Sequence, residues 1–417
     1  MENGSGIKIP KGGTNLKNSF IQVAANEQNP NWENQIKRQE PLYERKGEIR
    51  SAFERDHTRI IHNSSYRRLK HKTQVFFSPI NDHICTRLEH VNHVESISYS
   101  IANYLGLNTE LTKAISVAHD LGHSPFGHKG EKILSEISKR DLGIPFWHER
   151  NGLYLVDFLE LLEDSHGIKQ NLNLTYAVRD GIISHCGEVD ENAVFPRKEA
   201  INLEKEYKKP NQFQPYTWEG CLVKISDKIS YIGRDMEDAL TLGILTNDDL
   251  AELYNLLGYS KEQNINNTVL INELIVDLCE NSSIENGLCF SERGLQLMST
   301  VKSFNYKYIY LNQLLSSSER YFSLVLNEIY NHLTVCFSGI NTIEALKTFE
   351  KYYPNLISAF VNWLETYADI PNRNKKLGNK VLYDLHSYPD YCRAVLAFIS
   401  GMTDNYAIEM YKEIISY

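Results

Sequence analysis

Residues 86–131 read TRLEHVNHVESISYSIANYLGLNTELTKAISVAHDLGHSPFGHKGE, and two periodicities inside this stretch decide the fold. Over 86–105, Leu88, Val91, Val94, Ile97, Ile101 and Leu105 recur at steps of three and four, and Gly106 follows where a left-handed cap stops a helix. Over 109–121, Leu111, Ile115, Ala118 and Leu121 repeat the pattern, with Asn108 or Thr109 placed to cap the start and Gly122 to end it. Both segments are amphipathic helices. His90 precedes Val94, Ile97 and Ile101 by four, seven and eleven residues, and His119 follows Ile115 by four, so both imidazoles face inward with the apolar stripe. A single buried histidine is an ordinary hydrogen-bonded core residue. Here Asp120, His123, His128 and Glu131 follow within twelve positions of His119.

Helical periodicity continues outward. Leu222, Ile225, Ile229, Ile232, Met236 and Ala239 alternate steps of three and four over 219–242, and Asp227, Tyr231 and Asp235 lie at i, i+4 and i+8 on a polar face beside that stripe. Further helices are predicted over 268–280, 295–315, 319–335 and 391–415. Strand signals are scarce; at most a minor hairpin fits around 185–217, where Gly187, Pro196, Pro210 and Pro215 interrupt any helix. The reading is therefore mainly α, in three parts. An irregular N-terminal arm covers 1–40, a catalytic core 41–246, and a C-terminal helical portion 247–417, with the Asn-rich loop 263–267 as the break.

Composition bounds the function classes. A chain of 417 residues that is 42% hydrophobic and 23% charged, with 12 Pro and 23 Gly, is not collagenous, low-complexity or disordered. No apolar run approaches the roughly 18 residues that cross a bilayer, and the polar start lacks a signal-peptide core, so a cytoplasmic protein with no membrane partner is expected. Seven scattered cysteines without a CxxC argue against a disulfide framework or a thiolate zinc site. The net charge is −9, yet over 37–72 Lys and Arg outnumber Asp and Glu eleven to five. Such a basic island suits a small polyanion such as a nucleotide better than a broad nucleic-acid footprint. Ten of the fourteen histidines fall between 57 and 148, a clustering that points at chemistry.

Burying imidazoles and carboxylates together is costly unless a cation compensates them. Two His and two Asp form a mixed nitrogen and oxygen set that suits Mn, Mg, Fe, Co or Zn and leaves positions open for water and phosphate oxygens. After the stop at Gly122, a turn containing Pro125 and Gly127 presents His123 and His128 at different angles. A helix restarting near His128 puts Glu131 one turn on, where its carboxylate orients the imidazole as a base-orienter pair requires.

In this order the motifs resemble the HD-domain metal-dependent phosphohydrolases, and more narrowly the deoxyguanosine triphosphate triphosphohydrolase branch, which includes the sterile-alpha-motif dNTP hydrolase of vertebrates. The residues that carry it are Arg55-Asp56, Arg59 to His62, Tyr66 to Leu69, Lys72-Thr73-Gln74-Val75, Thr86 to His90, the run His119 to Glu131, Asp227-Lys228 through Asp235, and Ile399 to Asp404. They spread over most of the chain. The resemblance implies an HD helical core that binds a divalent metal through His90, His119, Asp120 and Asp227. It implies Arg87 and Lys228 on the triphosphate and Gln74, Tyr231 and Asp235 on the deoxyribose. His128 with Glu131 would be the catalytic pair, with His123 and His148 near the phosphates.

The reaction implied is hydrolysis of a dNTP to deoxynucleoside and inorganic triphosphate by attack at the alpha phosphorus. The resemblance also implies a homo-oligomer, tetramer or hexamer, with nucleotide effectors at subunit interfaces. Three departures stand out: Val91 replaces the serine usual in bacterial members, Lys129 replaces a glycine, and Trp147 to Asn151 is closer to the vertebrate pattern. Two other readings compete: an HD enzyme acting on a monophosphate, cyclic or modified nucleotide, and a nucleotide sensor or single-stranded nucleic-acid binding module without turnover. The preferred base, the native metal, the general acid and the biological role, pool control or phage defence, are not encoded in these motifs.

Overall fold

The computed structural model describes residues 17–43, 47–77, 81, 83–186, 192–259, 266–371 and 373–416. Among them the architecture is mainly α-helical, with one two-stranded antiparallel sheet pairing Leu161–Glu163 with Lys169–Asn171. The two helices of the opening stretch span Arg87–Leu105 and Thr109–Ala118. Thr86 starts the first through a reciprocal cap, its side chain accepting from the Glu89 N–H while the Glu89 carboxylate accepts from the Thr86 N–H, and Gly106 at φ 82° ends it. Asn108 caps the second, accepting from the N–H groups of Glu110 and Leu111.

Buried side chains gather into three clusters. Val91 and Val94 pack with Leu111, Ile115, Ala118 and Leu121 against Val178 and Ile182 of the Tyr176–Ser184 helix. The opposite flank of the Arg87–Leu105 helix, Ile97, Ile101 and Leu105, packs on Leu222, Ile225, Ile229 and Ile232 of the Trp218–Thr241 helix, and Leu270, Leu274, Val301 and Phe304 close that cluster from later in the chain. The third joins Phe126 and, from the Gly127–Leu142 helix that follows it, Ile133, Leu134 and Ile137 to Phe322, Val325, Leu326 and Ile399.

Several expectations shift in detail. The helix predicted over 109–121 stops at Ala118, so His119 is its C-terminal cap and Asp120 begins a turn. The segment 295–315 is a helix, Glu292–Asn305, then a wide π-helical turn Tyr306–Tyr310 before Asn312 caps the next helix, Gln313–Thr334. The segment 391–415 is two helices, Tyr388–Ser400 and Asp404–Ile415, broken where the Thr403 side chain accepts from the Tyr406 N–H. The hairpin expected around 185–217 lies instead at 161–171; the described part of 185–217 holds a four-residue helix, Leu203–Glu206, and one isolated bridge from Val194 to Leu288. Pro196, Pro210 and Pro215 have no N–H to give a ladder. Gly187, residues 1–16 of the expected arm and 263–265 of the expected break lie outside the described residues. The described part of the arm is irregular but docked: the N–H groups of Asn18 and Phe20 bond to the carbonyls of Tyr104 and Leu105 at 2.9 and 2.8 Å, and buried Phe20 meets Trp218 edge-on.

Candidate active site

Two helices end at one point. The Thr109–Ala118 and Tyr176–Ser184 helices terminate in the capping residues His119 and His185, and in each the ring Nδ1 bonds at 2.7 Å to the carbonyl three residues back, Ser116 and Ile182 respectively. That bond leaves Nε2 of both rings as the free acceptor, and two helix C-termini aimed together favour a cation. His90 comes in from the first turn of the Arg87–Leu105 helix with Nδ1 3.1 Å from the Ser230 hydroxyl, and Asp227 from the Trp218–Thr241 helix. His90 Nε2 lies 2.9 Å from Asp227 Oδ1, His119 Nε2 3.8 Å from the same oxygen, and the ligating atoms of these three residues fall within 4.8 Å of one another.

Asp120 lies between two groups. Its Oδ2 accepts from Arg87 Nη1 at 2.6 Å and is 3.7 Å from His90 Nε2, whereas Oδ1 is 3.1 Å from His123 Nε2, 3.6 Å from His119 Nε2 and 4.0 Å from His185 Nε2. Asp120 forms another candidate ligand group with His148 and His185, and His123, His128, Glu131 and His148 form a third.

The next turn is possible only because of glycines. A Cβ on Gly122 would lie 2.0 Å from the His148 carbonyl oxygen and 2.2 Å from the Gly152 nitrogen, so the bare backbone lets the His148–Tyr154 helix dock on the turn after Asp120. Phe126 at φ 64° and Gly127 at φ 58° then reverse the chain, and the Gly127–Leu142 helix starts. Its first turn brings His128 and Glu131 to His148: Glu131 Oε1 accepts from the His148 N–H at 3.0 Å, while Oε2 lies 3.0 Å from His148 Nδ1 and 3.3 Å from His128 Nδ1. One carboxylate therefore orients two imidazoles. The His123 and His148 rings stack at 3.8 Å, buried, while the His128 side chain is 71% exposed at the open end of the site.

Charge follows this geometry. Burial alone would raise the Asp120 and Asp227 carboxyls, but His123, His119 and Arg87 hold the first well below its ordinary range and the His90 hydrogen bond lowers the second. Burial also opposes the charge on His148, yet the neighbouring carboxylates of Glu149 and Glu131 push it up to about 9. Glu131, raised by burial, is driven far below the carboxylate range by His148 and His128. His123 and His185 go the other way: burial and neighbouring cations lower both, His185 to about 4.

The remaining expected residues lie outside the candidate ligand groups. Gln74 is half-buried, its side-chain oxygen has no hydrogen-bond partner, and its carbonyl accepts from Arg87 Nη2 at 3.5 Å. Lys228 follows Asp227 directly and Tyr231 lies one turn further, both half-buried. Asp235 is not in the ligand cluster: it lies about 12 Å further along the helix by its rise, where Tyr310 of the π-helical turn donates to it and burial lifts its carboxyl to about 7. Sequence reasoning missed His185, Glu149 and Tyr310. Only His185 left a signal, since it ends an apolar helical run just as His119 does.

A cation fits what is present. His119 Nε2 and His123 Nδ1 are buried without hydrogen-bond partners, and two imidazoles with two carboxylates are the donors that borderline divalent ions take. Among the described residues no helix is long and apolar enough to cross a membrane.

Comparison with known proteins places these elements in context. A family model described as HD domain matches residues 87–232, the interval from Arg87 to just beyond Asp227. Over 372 residues the chain is 32% identical to a deoxyguanosinetriphosphate triphosphohydrolase-like protein of Caldanaerobacter subterraneus subsp. tengcongensis, covering 89% of this chain and 87% of that one. It is 30% identical to proteins of the same description from Rickettsia bellii, covering 88% and 92%, and from Desulfatibacillum aliphaticivorans, covering 88% of each.

Proposed function

The chain belongs to the HD-domain, deoxyguanosinetriphosphate triphosphohydrolase-like family, and from that premise we propose that it hydrolyses a deoxynucleoside triphosphate to the deoxynucleoside and inorganic triphosphate. The observation that carries the reading is the meeting of His90, His119, Asp120 and Asp227 beside a second group, His128, Glu131 and His148, in one site. His90, His119, Asp120 and Asp227 would hold a divalent ion, which would supply Lewis-acid polarisation of a phosphoryl oxygen.

The chain's own residues do the rest. Arg87, already fixed by Asp120, directs its guanidinium fork at phosphate, and Lys228 adds a point charge. Gln74, with an unused amide oxygen, and Tyr231 and Asp235 are suited to the sugar hydroxyls. Water adds to the alpha phosphorus and the bond to O5′ breaks; the water loses a proton and O5′ takes one. Glu131 accepts from Nδ1 of both His128 and His148, which leaves each Nε2 to act on substrate, and the donor to O5′ comes from this pair. His123, stacked on His148, completes the wall that faces the phosphates. A homo-oligomer, a nucleotide effector and a cytoplasmic setting belong to the same proposal.

The test is product analysis. Purified protein with Mn or Mg and each dNTP in turn should release deoxynucleoside and tripolyphosphate in equal amounts, resolved by anion exchange. Release of orthophosphate or pyrophosphate alone would transfer the protein to an HD enzyme of different substrate class, and nucleotide retention without product under any metal would make it a sensor.

A further inference from the structure

The turn that aims His128 and Glu131 is held from the far end of the chain. Phe126, a bulky residue at φ 64°, does not adopt this backbone unaided. Its N–H donates at 2.9 Å to Oδ1 of Asp404, the first residue of the last helix, 278 positions away. The other oxygen, Oδ2, accepts from the Thr73 N–H at 2.9 Å and from the Thr73 hydroxyl, 331 positions away. Thr73 precedes Gln74 and Phe126 lies two residues before His128, so one buried carboxylate ties the segment assigned to the sugar to the turn assigned to catalysis.

A second tie runs alongside. Buried Lys72 donates to the carbonyl of His123 and, at 3.3 Å, to that of Ser400, just before the break that precedes Asp404. Between the tied segments lies Arg87, with Nη2 3.5 Å from the Gln74 carbonyl; a Cβ on Gly127 would stand 3.3 Å from the same nitrogen. If the turn moves, Arg87, His128 and Glu131 move with it.

We propose that Asp404 is a positioning residue of the active site, its carboxylate setting the distance between the Thr73–Gln74 segment and the Phe126–Gly127 turn. This rests on the proposed triphosphohydrolase reading, and misplacement of about 1 Å at reacting groups is enough for a rate loss on the order of a hundredfold. Asp404 acts through the Phe126 and Thr73 N–H groups and the Thr73 hydroxyl that it holds.

Two measurements on the metal-loaded full chain test it. Asp404→Asn keeps the side-chain shape but turns one acceptor into a donor facing an N–H. The expected result is a kcat at least about tenfold lower with KM changed less than about threefold, and faster hydrogen exchange confined to residues 73–74 and 124–128. The control is Glu413→Gln on the same helix, whose carboxylate accepts, among the described residues, from Asn355 and Leu356 at the start of the Pro354–Tyr367 helix; it should leave kcat and that exchange pattern unchanged. Wild-type kcat with wild-type exchange in Asp404→Asn would overturn the proposal, as would an equal kcat loss in Glu413→Gln. Should Asp404→Asn fail to fold, Thr73→Val removes only the hydroxyl tie: a lower kcat with faster exchange at 73–74 supports the clamp, and no change in either overturns it. If the wild type releases no tripolyphosphate, the proposed function fails, but the exchange readout still decides the clamp.

Discussion

Asp120 has two partners to satisfy, and they separate under mutation. Its carboxylate is both a candidate ligand and the counter-charge of Arg87, whose side chain is 1% exposed. Removing it leaves a buried guanidinium uncompensated, so Asp120→Ala should cost about 3–5 kcal/mol of stability in addition to metal and turnover. Asp227→Asn removes a proposed ligand whose protein partner is His90 rather than a buried Arg, so it should lose metal and turnover while unfolding in urea near the wild-type midpoint. Metal content per chain and urea curves on both proteins check this; a fully stable Asp120→Ala would refute the role given to Arg87. The Glu131–His148 pair makes a pH prediction. His148 is raised from 6.5 to about 9 by folding, so its stabilising contribution is complete below pH 6.5 and is lost as pH climbs toward 9. Glu131 is lowered, so its contribution is complete above pH 4.5 and lost on acidification. Thermal midpoints should fall between pH 6.5 and 9, and His148→Gln should flatten that alkaline limb; an unchanged limb would show that the ion pair carries no stability.

At the scale of elements, the helices that bring in His90 and Asp227 are those with the plainest periodicity, and helix ends are the least legible part. The stripes over 86–105 and 219–242 predict helices found at Arg87–Leu105 and Trp218–Thr241. In 391–415 the apolar spacing runs on through Met402, Ala407 and Met410, so the break at 401–403 shows only in the Thr403 cap, a hydrogen bond that hydrophobic spacing does not register. The same holds at Asn312. The sequence reading made Gly122 the stop of the 109–121 helix, whereas that helix ends at Ala118 and Gly122 is the docking point for the His148–Tyr154 helix. Gly122→Ala should therefore destabilise by about 1–3 kcal/mol or more, because the obstructing atoms are backbone and cannot rotate away. Urea unfolding and turnover measure it, and a variant as stable and active as the parent would contradict this packing.

For the whole molecule, the described residues form a helical body in which late chain closes over early chain: Val325, Leu326 and Ile399 pack on Phe126, Ile133 and Leu134, and Phe304 packs on the helix of Asp227. The spacing of apolar and ionisable residues by itself determined the helix class, the inward-facing His90 and His119, and a family resemblance that the relatives uphold, because these are local periodicities and short motifs written in consecutive residues. Only the tertiary structure decided that His185 stands beside Asp120, that Glu131 orients His148 as well as His128, that Tyr310 holds Asp235, and that Asp404 reaches Thr73 and Phe126. These are contacts between distant parts of the chain, fixed by how three buried clusters pack and where backbone N–H groups find their acceptors; no run of neighbouring residues encodes such a distance.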